Sequence, residues 1–167
     1  QDDPQRWEIY EALASHKSDM VRVWAAYMLT ANKDIELAVR KCAWDSFRPY
    51  VAAGLDLGLR LLEGWARDPD PHIRRCAVEG TRPRGVWTPH IETLKREPAL
   101  APALLEVVRS DPSKYVQRSV ANWLNDASKS RTDWVHGVCR RWAEESPTKE
   151  TAWTVNHAQQ TLRKHRG

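Results

Sequence analysis

Ile73-Arg74-Arg75-Cys76-Ala77 and Val116-Gln117-Arg118-Ser119-Val120 are two copies of one pattern: apolar, basic, variable, small, apolar, with Gln117 at the basic place of the second. Working outward, the pattern recurs as Val21-Arg22-Val23-Trp24-Ala25, as Val39-Arg40-Lys41-Cys42-Ala43 and, more weakly, as Trp153-Thr154-Val155-Asn156-His157. Apolar residues four apart share one helix face, and a small residue beside them lets a neighbouring helix approach closely. Other amphipathic stretches lie between the copies: Val51 to Ala66, Ala101 to Val108 and Trp134 to Trp142. Each copy therefore reads as one half of a helix pair. Asp70-Pro71 places a capping side chain before a proline at the first helical position, where no amide hydrogen is needed, and Asp111-Pro112 is read the same way.

From Val21 onward the copies are offset by 18, 34, 43 and 37 residues. The last three offsets approach the ~40 residues of a HEAT or armadillo unit. Eighteen residues cannot hold a helix pair with its turns, so a repeat is degenerate near residues 31–35 or a segment is absent there. No strand-like alternation and no Asn-Gly hairpin signal competes. The expected fold is all-α: one HEAT-like repeat domain over residues 1–167, a curved right-handed stack of helix pairs whose second helices line the concave face.

The composition suits a globular protein, with 41% hydrophobic and 29% charged residues, and no apolar run approaches the span of a bilayer. Neither a basic start nor an apolar stretch marks a secretory signal, so the expected location is the cytoplasm and no membrane partner is expected. Cys42, Cys76 and Cys139 contain no Cys-x-x-Cys pair, and His136 with Cys139 lacks a third ligand, so no disulfide framework and no metal site is expected. The net charge of +4 is unevenly placed: residues 1–111 hold 16 Lys and Arg against 17 Asp and Glu, residues 112–167 hold 10 against 5. The C-terminal half would suit a phosphate backbone, and equally a solvated basic surface.

Two longer segments narrow the reading. Val78-Glu79-Gly80-Thr81-Arg82-Pro83-Arg84-Gly85-Val86-Trp87 and Tyr115-Val116-Gln117-Arg118-Ser119-Val120-Ala121-Asn122-Trp123-Leu124-Asn125-Asp126-Ala127-Ser128-Lys129 resemble signature segments of the AlkC branch of the HEAT-like alkylpurine DNA glycosylases, the AlkC/AlkD type of DNA alkylation repair protein. The similarity runs from about Ser15 to the C-terminus and is densest from Asp68 to Trp142. It implies a bacterial repair enzyme that cleaves the N-glycosidic bond of 3-methyladenine or related cationic alkylpurines in double-stranded DNA, as a monomer and without a cofactor. Some AlkC proteins carry an immunoglobulin-like C-terminal domain, for which the helical reading of this chain leaves no room. Relatives that bind DNA without catalysis also exist.

An N3-alkylated purine is already cationic, so its departure needs no general acid; what remains is to stabilise an oxocarbenium-like sugar and position a water. A carboxylate near C1′ can do both. Glu79 and Asn122 occupy equivalent repeat positions, and Asp126 lies one turn beyond Asn122, which makes Glu79 and Asp126 the candidate catalytic residues. Glu79 is also suited to bracing the Thr81–Arg84 turn, and Asn122 and Asp126 to tying adjacent repeats together.

Trp24, Trp44, Trp87 and Trp123 fall in or just after the candidate concave helices and, with Asn122, form the candidate base pocket. Indole faces attract cations, yet large aromatics also fill the seams of repeat proteins. Arg82 and Arg84 flank Pro83 in a stiffened turn that could present guanidinium groups to phosphates, and Arg118, Lys129, Arg131, Arg163 and Lys164 would extend the track. Arg74, Arg75 and Arg118 could instead pair with acids of neighbouring repeat turns. Two other functions remain open: a non-enzymatic HEAT-repeat DNA-binding protein and a HEAT scaffold for protein partners.

Overall fold

The computed structural model describes residues 37–85 and 88–159, with side chains from Trp44 onward. The order is α1 (Leu37–Ala53), α2 (Leu55–Trp65), α3 (Pro71–Gly80), α4 (Glu92–Arg96), a 3-10 turn at Pro98–Leu100, α5 (Pro102–Val108), α6 (Lys114–Ser128), α7 (Thr132–Glu145) and α8 (Lys149–Ala158). No strand occurs among the described residues, and the all-α repeat expectation holds. Val21 and residues 31–35 lie outside the described residues, as does the side chain of Val39.

The helices form two rows. α1, α3, α6 and α8 pack side by side in that order; α2 lies against α1 and α3, α5 against α3 and α6, and α7 against α6 and α8. The amphipathic stretches at 101–108 and 134–142 fall in α5 and α7, whereas the stretch at 51–66 is divided by Gly54 between α1 and α2. Two glycines let helices close in. A Cβ at Gly80 would come within 2.7 Å of the Phe47 ring, and one at Gly58 within 3.1 Å of Val51. The core runs along the seam between the rows, through Phe47, Leu62, Leu104, Leu124, Trp123 and Trp142, each 0–1% exposed. Burying a side chain of this size contributes roughly 1.5–3 kcal/mol.

Helix starts give the true repeat register. Asp70, Ser113 and Thr148 are the N-caps of α3, α6 and α8. Three residues beyond each lie Ile73, Val116 and Thr151, and six beyond lie Cys76, Ser119 and Thr154; all six are 0% exposed. The last copy therefore begins at Thr151, two residues before Trp153. It escapes an apolar search because threonines fill its buried positions, Thr151 Oγ1 donating to the Arg109 carbonyl at 3.3 Å.

The proline signals also need one correction. Asp70 caps α3 as expected, its carboxylate accepting from His72 N at 2.7 Å. Asp111-Pro112 does not start a helix in the same way: α6 begins at Lys114, and Asp111 is the counterpart of Asp68. Both accept from the amide two residues on, Asp68 from Asp70 N and Asp111 from Ser113 N, at 2.8 Å each. Asp111 has a second role, since Arg74 Nε and Nη2 reach its two carboxylate oxygens at 2.6 and 3.0 Å and tie one repeat to the next.

Candidate functional site

Glu79 sits nine residues past the N-cap of α3, in the last turn before Thr81 ends the helix. Its side chain points at α6, where Ser119 Oγ donates to Oε1 at 2.5 Å. Arg75, one turn earlier, brings Nη2 to 3.3 Å from Oε1, and Arg82 Nη1 reaches Oε2 at 3.1 Å. Arg82 then continues to α6, where Nε and Nη2 donate to Asp126 Oδ2 at 2.9 and 2.7 Å. Lys129 Nζ lies 3.3 Å from Asp126 Oδ1. One guanidinium thus joins two buried carboxylates from two repeats, Glu79 being 6% and Asp126 4% exposed.

Three cationic side chains, Arg75, Arg82 and Lys129, contact this pair of acids, and Arg48 lies behind them. Burial lowers the Arg82 pKa, and the charges of Glu79 and Asp126 more than offset it, leaving Arg82 raised. For Arg48 burial prevails over the Asp45 charge and its pKa is lowered. Arg75 has another surrounding: its guanidinium lies 3.9 Å from the Tyr115 ring centroid and 5.7 Å from that of Trp44.

The other predicted residues fall into distinct places. Arg84 does not face outward; its Nε donates to the Asp126 carbonyl at 3.2 Å and Nη2 to Ser130 Oγ at 2.7 Å. Arg82 and Arg84 thus fold the Thr81–Gly85 turn down onto the end of α6. Trp123 is fully buried, its Nε1 donating to the Thr81 carbonyl at 2.9 Å, and Trp44 is a 4% exposed core residue. Both indoles are packed rather than presented. Asn122 is half-buried, and Arg118, Lys129 and Arg131 are exposed. Arg118 makes no hydrogen bond or ion pair among the described residues, whereas Arg131 donates to the Arg96 carbonyl at 2.5 Å. Trp24, Trp87, Arg163 and Lys164 lie outside the described residues.

Arg48, Ser119 and Tyr115 belong to this site and were not singled out as site residues by the sequence. Ser119 was visible only as a small packing position, and nothing near Arg48 distinguishes it from a surface arginine. A further pair comes from the corrected register: Trp153 and His157 on α8 match Arg75 and Glu79 by position. Their rings stack at 4.7 Å, and Lys114 Nζ lies 4.3 Å from the Trp153 centroid. An open cleft of about 410 Å³ is found elsewhere, at Pro69, Asp70, Pro71 and His72. Among the described residues no cluster of His, Cys, Asp and Glu could hold a metal, and no helix is long and apolar enough to cross a membrane.

Known proteins resemble the chain in sequence and in fold. The chain is 27% identical to Pseudomonas fluorescens alkylpurine DNA glycosylase AlkC bound to DNA containing an abasic site analog, with a TM-score of 0.66 over 98% of this chain and 48% of that one. It shares its fold with smu.31 from Streptococcus mutans UA159 (22% identity, TM-score 0.67, 96% of this chain and 85% of that one). The same holds for AlkD2 from Streptococcus mutans (23% identity, TM-score 0.67, 96% and 82%). A curated relative, the protein YhaZ of Bacillus subtilis (strain 168), is 37% identical over 117 residues, which span 70% of this chain and 32% of that protein. The chain thus covers about half of AlkC and a third of YhaZ. The family model described as DNA alkylation repair enzyme matches residues 38–162, from α1 past the end of α8, and the chain belongs to that family.

Proposed function

We propose that the chain is a monofunctional DNA glycosylase that hydrolyses the N-glycosidic bond of cationic alkylated purines such as 3-methyladenine in double-stranded DNA, acting as a monomer without a cofactor. The observation that carries the reading is the union of Glu79 and Asp126 through Arg82. A leaving group that is already positive needs no proton, so the work is electrostatic: fixed negative charge beside C1′ as the sugar becomes oxocarbenium-like. Carboxylates oriented by Arg75, Ser119, Arg82 and Lys129 meet that need without reorganising at the moment of reaction. The AlkC structure, with DNA bound, supports DNA as the partner.

The same ion pairs favour one other reading. Glu79 locked to Arg82 under a folded turn suits a protein that binds DNA without catalysis, its carboxylates serving as braces. Release of methylated bases from alkylated duplex DNA separates the two. Glu79→Gln keeps the shape and removes the charge; base release should slow by about a hundredfold or more while DNA binding survives. Equal release by the variant would remove Glu79 from the mechanism and promote Asp126. No release by the wild-type chain, with DNA still bound, would establish the binding protein.

A further inference from the structure

Arg48 is 2% exposed, on α1, and its guanidinium is spent on the backbone behind the acid cluster. Nη1 donates to the Glu79 carbonyl at 2.9 Å, Nη2 to the Arg82 carbonyl at 2.9 Å and the Pro89 carbonyl at 3.4 Å, and Nε to Thr88 Oγ1 at 2.9 Å. Burying an arginine costs free energy unless every donor is satisfied, and an apolar side chain would pack between these helices more cheaply. What the arginine supplies is geometry. Helix-end carbonyls lack partners within their helix, and a planar fork can bind several at once in one fixed arrangement.

We infer that Arg48 is the positioning residue of the acid cluster: it holds the Glu79 end of α3 and the Arg82 turn in one geometry, so that base removal depends on a buried side chain that donates only to the protein. The inference rests on the glycosylase reading for its effect on turnover, but not for the geometry. Arg48 grips the backbones of the two residues, Glu79 and Arg82, whose side chains meet at the cluster. Thr88 and Pro89 close the far side of the turn on the same guanidinium, and Ile91 N donates to the Pro83 carbonyl at 3.0 Å across its neck. Gly85 is a second, independent sign of how tightly the turn is wrapped. A Cβ there would overlap the Thr88 hydroxyl, approach the Thr88 carbonyl to 2.5 Å and lie 3.2 Å from Arg48 Nη2. Only a glycine lets the turn close over Arg48.

The test uses the full chain with Arg48→Lys, Arg48→Met, Gly85→Ala and Glu79→Gln. Three quantities are measured: affinity for a duplex holding an abasic-site analogue, single-turnover release of 3-methyladenine from methylated duplex DNA, and amide exchange. In the two Arg48 variants and Gly85→Ala, affinity should stay within about threefold while release falls by at least about tenfold, the split expected when reacting groups are misplaced rather than lost. Lysine should not rescue, because it keeps the charge but not the fork. Adding any of these to Glu79→Gln should cause little further loss, because residues acting through one another are not additive. Full release by Arg48→Lys or Gly85→Ala, or losses that multiply with Glu79→Gln, would overturn the inference. If Arg48→Met does not fold, Gly85→Ala decides, because it leaves the buried charge in place. If the wild-type chain releases no base, the glycosylase reading fails and the geometry is judged alone: exchange at Arg82 and Ile91 should quicken in the variants while α7 stays protected, and unchanged exchange sinks it.

Discussion

Cys139 is fully buried in α7, and burial pushes its thiol up to about 11. The thiolate is the reactive form, so at pH 8 the folded protein should react with a disulfide reagent on the order of a hundredfold more slowly than an unfolded chain at the same thiol. Mass-resolved labelling before and after denaturant would measure this; fast labelling of Cys139 in the native state would show that the α7 seam opens. Arg118 makes the opposite case. It is exposed and unengaged among the described residues, which leaves its guanidinium available to a phosphate. Neutralising it with Arg118→Gln should reduce the log–log slope of DNA affinity against salt by about one. A slope equal to wild type would place Arg118 off the DNA path.

Two buried polar side chains call for different energetics. Asp111 is 5% exposed, pairs with Nε and Nη2 of Arg74 and orients Ser113 N at the start of α6. Asp111→Ala should therefore cost about 3 kcal/mol in denaturant unfolding, the usual result of removing one partner from a buried pair. Arg74→Met in that background should recover part of the loss; no recovery would mean that Asp111 acts through the α6 start and not through the pair. Thr154, at 0% exposure, is the reverse, because its hydroxyl has no hydrogen-bond partner among the described residues. Thr154→Val keeps the shape and should raise stability by about 1 kcal/mol. Helix existence was legible throughout this part of the chain, because the four-residue spacing at Ile73 and Val116 is strongly apolar. The register of α8 was not, because threonine satisfies burial by size rather than by hydropathy. The site was half legible: Glu79 and Asp126 stand out as acids on a helix face, but Arg48 and Ser119 gain their roles only from contacts 31 to 40 residues away in sequence. That Arg82 and Arg84 turn inward was hidden for the same reason. A proline-stiffened turn has no sequence mark for which way it folds.

For the molecule as a whole, each repeat buries its face only against its neighbours, so stability should propagate from end to end. α8 packs against α6, and its Thr151, Thr154 and Ala158 are fully buried. Ending the chain at Glu145 should expose that α6 surface, broaden the thermal transition and increase binding of a hydrophobic dye; an unaltered transition would show that α8 is energetically separate. The N-cap register has one more consequence. Counting five and nine residues from Asp70, Ser113 and Thr148 gives Arg75 and Glu79, Arg118 and Asn122, Trp153 and His157, while the buried ladder occupies positions three and six. The scaffold therefore behaves like a rack with interchangeable cartridges, in which the residues at positions five and nine can be exchanged without disturbing the ladder that builds the rack. Moving the tryptophan–histidine cartridge one place along, as Arg118→Trp with Asn122→His, should leave the melting temperature nearly untouched and alter only what the array can hold.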